Sequence, residues 1–119
     1  MRRSVLIVDD HAGFRTSARA LLEAGGRFVV VGEAATGAAA ITDARRLRPD
    51  VVLLDIALPD IDGFAVCESI LLDESSQAMV VLTSSRSPVS YGSRLTTSHA
   101  RGFIPKDELS AATLQALIG

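Results

Sequence analysis

Asp9-Asp10, Asp55, Thr83 and Lys106 are the residues whose types could do chemistry together. Each lies at or just beyond the end of a short apolar run: residues 5–8, 51–54, 79–82 and 102–104 respectively. If those runs lie side by side, three carboxylates, one hydroxyl and one ammonium converge on one edge of the molecule. Three carboxylates held close together repel, and at least one is driven toward protonation unless a cation compensates. A hard divalent cation does this well, and oxygen ligands suit Mg²⁺, which keeps some waters and takes phosphate oxygens beside one or two carboxylates. The cluster therefore predicts phosphoryl transfer, with Lys106 as a second positive charge for the phosphoryl oxygens. An aspartate can itself be the nucleophile and form an aspartyl phosphate.

The elements that must position these residues follow from hydrophobic patterning. The same four runs, with a fifth at 28–31, are rich in Val, Ile and Leu and do not alternate with polar residues. That is the pattern of strands covered on both faces, as in a parallel sheet. Between them lie helical stripes. Phe14, Ala18, Leu21 and Leu22 share one helix face, which Gly25-Gly26 terminates. Ala40, Ile41, Ala44 and Leu47 form a second, with Thr36 as N-cap and Pro49 beyond its end. Phe64, Cys67, Ile70 and Leu71 form a third, and Ala111, Leu114, Leu117 and Ile118 the last, capped by Ser110. Residues 84–99 are rich in Ser and Thr, contain Pro88 and Gly92, and offer only Val89, Tyr91 and Leu95 as apolar anchors, which predicts a short or irregular fourth helix. Strand and helix alternate five times, which means an α/β sandwich with right-handed crossovers. In such sheets ligands bind beyond the carboxyl ends of the strands, which is where the acidic residues fall.

Bulk properties narrow the function further. The 119 residues suffice for one domain spanning 1–119, and 48% hydrophobic content makes it a folded one. A formal charge of −2 gives no electrostatic case for nucleic-acid binding. The single cysteine, Cys67, excludes an internal disulfide and fits a reducing cytoplasm. The run after the basic N-terminus is too short for a signal peptide or a membrane span. The tetrapeptide KDEL at 106–109 is internal and so is no retention signal.

The acidic pair after VLIV, the segment DVVLLDIALPDIDGF around Asp55, VVLTSS around Thr83 and GFIPKDEL around Lys106 together resemble the receiver domains of two-component response regulators. The resemblance spans essentially the whole chain. It implies a doubly wound five-stranded parallel sheet in the order 2-1-3-4-5 with five helices. It implies Asp55 as phosphoacceptor, and Mg²⁺ held by Asp10, Asp55 and the backbone carbonyl of Ala57, with Asp9 acting through a water. Lys106 would pair with Asp55 and then with its phosphoryl group, Thr83 would bond a phosphoryl oxygen, and Phe103 would be the aromatic switch. Ala57 and Ser85 occupy positions that tune dephosphorylation in such domains. The implied partners are a sensor histidine kinase and, on activation, a second copy of the domain. DNA would be reached only through an effector domain outside this chain, and no membrane partner is implied. The domain would be no enzyme beyond assisting its own phosphorylation and dephosphorylation.

Two features depart from the commonest receiver pattern. Lys106 is preceded by Pro105 and followed by Asp107, so the usual Lys-Pro peptide is missing; this ending resembles receivers joined to LuxR-type DNA-binding domains. The Ser/Thr-rich fourth-helix region leaves open the output surface, including any dimer built on that helix. Simpler roles are expected elsewhere. His11 should start the first helix outside the site, His99 should lie at the surface, Cys67 should pack in the core, and Gly63 should let the backbone turn into the third helix. Two rival functions remain: a phosphate-independent interaction module, and a haloacid-dehalogenase-type phosphotransferase. The second wants Asp-x-Asp, whereas Asp55 is followed by Ile56 and Ala57. Neither a phosphate-binding Gly-x-x-x-x-Gly-Lys loop nor a dinucleotide-binding Gly-x-Gly-x-x-Gly loop is present.

Overall fold

β-Branched and leucine-rich runs with no polar alternation can be satisfied only where both sides of a strand are covered. In the computed structural model, which describes residues 2–119, they form β1 (Arg3–Val8), β2 (Phe28–Ala34), β3 (Val51–Asp55), β4 (Met79–Ser84) and β5 (Gly102–Pro105). All neighbours pair in parallel, in the order β2-β1-β3-β4-β5, as expected. The helices are α1 (Ala12–Glu23), α2 (Gly37–Leu47), α3 (Gly63–Leu72), α4 (Ser93–Thr97) and α5 (Ala111–Ile118). The expectation of strands buried on both faces holds for β3 throughout and for most of β1 and β4. It fails at the edge strand β2, where Val31 is half-exposed and Glu33 lies open to solvent-side partners. A register shift between Val5 and Leu6 lets β2 run on to Ala34 beside Val8.

Alternation along the strands builds two cores. Val5, Ile7, Leu53, Val81 and Ile104 face one side with Leu22 of α1 and Leu114 of α5. Leu6, Val8, Leu54 and Leu82 face the other, with Ala40 and Ala44 of α2 and Val66, Cys67 and Ile70 of α3. Local chemistry sets the helix boundaries. Thr36 caps α2 by accepting from the Ala39 N–H at 3.1 Å, and Ser110 caps α5 in a reciprocal box with Thr113. Asp60, from the loop after β3, reaches across to accept from the Gly37 and Ala38 amides at 2.7 and 3.0 Å. These amides hold its carboxyl below the usual carboxylate range.

The fourth crossover is irregular, as the Ser/Thr content predicts. A 3-10 helix over Pro88–Tyr91 leads through Gly92, at φ 55°, into the five-residue α4. Tyr91 and Leu95 pack on the core, but Val89, expected as an anchor, is 87% exposed. Leu21 likewise turns away from the buried face of α1, which Ala18 and Leu22 supply.

Gly63 is needed for a reason other than the expected turn. Its amide donates to the Ile56 carbonyl at 2.9 Å, and a Cβ there would stand 2.5 Å from Ile56 Cα and 2.6 Å from the Asp55 carbonyl oxygen. The start of α3 is thus pressed against the backbone that carries Asp55. Gly63→Ala is expected to lose about 1–3 kcal/mol in denaturant unfolding through this backbone overlap. Gly25→Ala, where a Cβ meets nothing within 4 Å, should change stability by less than about 0.5 kcal/mol.

Candidate functional site

Side-chain parity gathers the pocket. Asp9, Asp55, Thr83 and Lys106 each lie two residues beyond a member of one core set: Ile7, Leu53, Val81 and Ile104. With a period of two along a strand, all four emerge on the α1/α5 side, where the strands end. Sheet pairing places Asp55 directly beside Thr83 and Thr83 beside Ile104. The site falls next to the β1/β3 boundary, where the order of winding reverses.

Lys106 Nζ stands 2.6 Å from Asp9 Oδ2 and 3.1 Å from Asp55 Oδ2. It donates a well-directed hydrogen bond to Asp55, whereas the shorter contact with Asp9 is an ion pair outside hydrogen-bond geometry. The ammonium also lies over the face of the Phe14 ring on α1, 4.7 Å from its centroid. Asp55 Oδ1 accepts from the Ala57 N–H at 3.0 Å. Asp9 Oδ1 accepts from the His11 N–H at 2.9 Å, and Arg15 fixes the same loop by donating to the Asp9 carbonyl at 2.7 Å. Asp9, Asp55 and Thr83 are all buried; Asp10 is exposed at the rim.

Burial pushes the Asp55 carboxyl above the ordinary aspartate value, and the charge of Asp9 pushes it further; the Ala57 N–H and Lys106 pull the other way without cancelling the rise. For Lys106, burial alone would lower the pKa, but the Asp9 and Asp55 carboxylates outweigh it and raise it above the usual lysine value. Three carboxylates facing one ammonium leave the pocket short of positive charge. Two buried polar atoms, Asp9 Oδ2 and Thr83 Oγ1, have no hydrogen-bond partner among the described residues. An oxygen-rich, negatively charged pocket with a buried hydroxyl lacking an acceptor fits a small divalent cation together with an anion that it helps to bind.

The structure brings Asp9, Asp10, Asp55 and Lys106 together, with Thr83 beside Asp55. Phe103 has the opposite parity: it sits on the other face, beside Leu82, with its ring centroid 6.3 Å from that of Tyr91. Tyr91 hydrogen-bonds Ser84, next to Thr83, and meets Phe64 edge-on, so one aromatic ring links the pocket strand to the irregular fourth crossover. Sequence reasoning took Tyr91 only as an anchor, and nothing in its spacing signals Ser84. His11 departs further from expectation. The sequence places it outside the site, but its Nδ1 lies 3.1 Å from Asp9 Oδ1 and 3.0 Å from Asp10 Oδ1. His99 is at the surface, paired with Glu68, and Cys67 is buried in the core with its thiol pushed up to about 12, as a packing role requires.

An open parallel sheet with a charged pocket at its winding reversal defines a class of α/β switch and nucleotide-type folds. Within that class the chain belongs to the response regulator receiver domain family, whose model matches residues 5–118. It is 36% identical to the transcription regulator BvgA of Bordetella pertussis over 108 residues, covering 91% of this chain and 51% of that protein. It is 39% identical to the response regulator VraR of Staphylococcus epidermidis over 84 residues, 71% of this chain and 40% of that protein. The chain thus spans about half the length of the curated relatives it matches, or less. Among solved structures, the signal receiver domain of NarL from Mycobacterium tuberculosis superposes with a TM-score of 0.84 at 33% identity, covering 99% of this chain and 98% of that one. A LuxR-family two-component response regulator from Aurantimonas gives 0.86 at 26% identity, covering 98% and 83%. Domains of this family are signalling domains that in general bind Mg²⁺ at an acidic pocket. Among the described residues, no helix is long and apolar enough to cross a membrane.

The raised pKa of Asp55 sets a sign for stability. A carboxyl whose folded pKa exceeds its unfolded value of 3.8 contributes stability fully below that value and loses it as pH rises through the folded pKa. Ionised Asp55 therefore works against the fold near neutrality. In chelator-treated buffer at pH 7, Asp55→Asn should melt at a higher temperature than the wild type, with the gap closing as pH falls toward 3.8. A lower melting temperature at pH 7 would show instead that the Lys106 pair outweighs the burial.

Proposed function

We propose that the domain is a phosphorylation-dependent switch that accepts a phosphoryl group on Asp55 from a sensor histidine kinase. The observation that carries this reading is the convergence of Asp9, Asp55 and Lys106 within 3.1 Å contacts beside the unpartnered Thr83 hydroxyl. A carboxylate oxygen of Asp55 attacks the phosphorus of the donor phosphohistidine. The P–N bond breaks with its electron pair returning to the donor imidazole, and the new O–P bond is an acyl phosphate.

Asp10, Asp55 and the Ala57 carbonyl would hold Mg²⁺, with Asp9 acting through a water. When bound, the ion supplies charge neutralisation for the phosphoryl oxygens. Lys106 is already positioned to follow the charge, because its hydrogen bond to Asp55 can be exchanged for one to a phosphoryl oxygen. Thr83 supplies the hydroxyl donor that now lacks an acceptor. Phosphorylation adds roughly −1.5 to −2 charges and three acceptors at this edge. Drawing Thr83 inward loosens the end of β4 against which Phe103 and Tyr91 pack, and the surface of α4, β5 and α5 changes shape. The shift extends only as far as the differential affinity of the phosphoryl group for the two states.

The relatives named as transcription regulators, about twice as long as this chain, support an effector domain outside it as the route to DNA, with a second copy of the domain joining on activation. A cytoplasmic site fits the lone, buried, unpaired cysteine.

Incubation with Mg²⁺ and acetyl phosphate, read by intact mass, should add one acid-labile phosphoryl group to the wild type and none to Asp55→Asn. Folded wild type that neither gains phosphate nor binds beryllofluoride would overturn this reading in favour of a phosphate-independent interaction module.

A further inference from the structure

His11 lies in the acidic pocket as a nitrogen donor. One donor atom from each of Asp9, Asp10, His11 and Asp55 lies within 4.8 Å of all the others. Around an octahedral cation with bonds of about 2.1 Å, adjacent donors are about 3.0 Å apart and opposite ones about 4.2 Å. His11 Nδ1 is hydrogen-bonded to Asp9 Oδ1 at 3.1 Å and paired with Asp10 Oδ1 at 3.0 Å, spacings that also match the adjacent edge, so a cation could take the place of the shared proton. Oδ2 of Asp9 and Oδ2 of Asp55 face Lys106, while Oδ1 of Asp9 and Oδ1 of Asp10 face the imidazole. A separate observation points to a ligand in the same pocket: the buried Thr83 hydroxyl, beside Asp55, has no hydrogen-bond partner among the described residues. His11 holds its place without a capping role, since it is the N-cap residue of α1 yet makes no side-chain cap bond.

Mg²⁺ prefers an all-oxygen shell, whereas imidazole suits the later first-row transition ions. We propose that His11 is a direct metal ligand that shifts the acidic pocket's preference from Mg²⁺ toward later divalent transition ions such as Co²⁺ and Zn²⁺. This deepens the reading given above and rests on its metal pocket. His11 binds through Nδ1, with Asp9 or Asp10 completing the adjacent positions. The exposed ring can leave the pocket without disturbing the core, so the domain has an all-oxygen mode for Mg²⁺ and a mixed nitrogen–oxygen mode for the softer ions.

The test compares wild type with His11→Gln by calorimetric titration with Mg²⁺ and with Co²⁺, and records ring ¹⁵N shifts of histidine-labelled protein with and without Zn²⁺. The ratio of Co²⁺ to Mg²⁺ affinity should fall on the order of 10-fold in the variant. The ¹⁵N shift of one ring nitrogen of His11 should move to the metal-bound range, with His99, which pairs with Glu68 of α3, as the internal control. An unchanged ratio, or a His11 ring that stays unmoved or merely protonated while Zn²⁺ binds, overturns the ligand role and leaves the phosphoacceptor reading standing. Failure of Mg²⁺ and Co²⁺ alike to bind folded wild type overturns both.

Discussion

Two carboxylates that are almost completely withdrawn from water, Asp9 and Asp55, meet a single ammonium at the open edge of the sheet, with a third carboxylate at the rim. That ammonium belongs to the only lysine in the chain; the other eleven cationic side chains are arginines. The choice of lysine here has a physical sense. An arginine fork would satisfy one carboxylate bidentately and lock it, whereas a compact ammonium on a flexible stem can bridge two acceptors and move to a third. The pocket is consequently under-neutralised and its members are held by few directional bonds. Such an arrangement is costly to a fold and useful to a switch, because any incoming charge finds groups free to reorganise around it.

The rest of the structure makes that arrangement tolerable. Strands with apolar side chains on both faces fix the backbone ends from which the polar side chains project, and the parity of those strands sends Asp9, Asp55, Thr83 and Lys106 to one side. Gly63 lets α3 close against the Asp55 backbone, and the Ala57 amide satisfies one oxygen of the buried carboxylate. Arg15, itself bridged to Glu33, holds the loop of the acidic pair. Each of these contacts acts on backbone placement rather than on the reacting oxygens. The scaffold is therefore rigid up to the edge of the site, and mobility begins with the side chains.

Much of this was legible in the sequence, for reasons that separate cleanly. Buried parallel strands leave uninterrupted apolar runs, so the sheet and the polar residues at its ends could be read directly, and the helix caps Thr36 and Ser110 follow from local chemistry. The edge of β2 was misjudged, because an edge strand with Val at an open position reads like a buried one. Leu21 and Val89 were placed inward because periodicity marks a face without saying how wide the buried stripe is. Asp60 capping α2 across 23 residues, Phe14 beneath Lys106 and Tyr91 on Ser84 depend on tertiary approach, and no local spacing encodes them. His11 reads as peripheral in the sequence because a residue opening a helix is normally directed outward. Here the extended φ and ψ of the N-cap position, −94° and 109°, turn its ring back over the acidic pair.

The fourth crossover shows where stability has been withheld. Between β4 and β5 the chain spends only five residues on a helix, joined to a 3-10 turn through a glycine at positive φ, and its hold on the core rests largely on Tyr91 and Leu95. Serines and threonines there compete for backbone hydrogen bonds, as Thr96 and Thr97 do by bonding the Ser93 carbonyl. Segments of this kind open at lower free energy than the packed helices beside them. The Tyr91–Ser84 hydrogen bond ties this sparsely packed element to the strand end that carries Thr83. A pocket short of positive charge and a crossover short of packing are thus joined through one tyrosine, so that a change of charge at the first has a short mechanical route to a change of shape at the second.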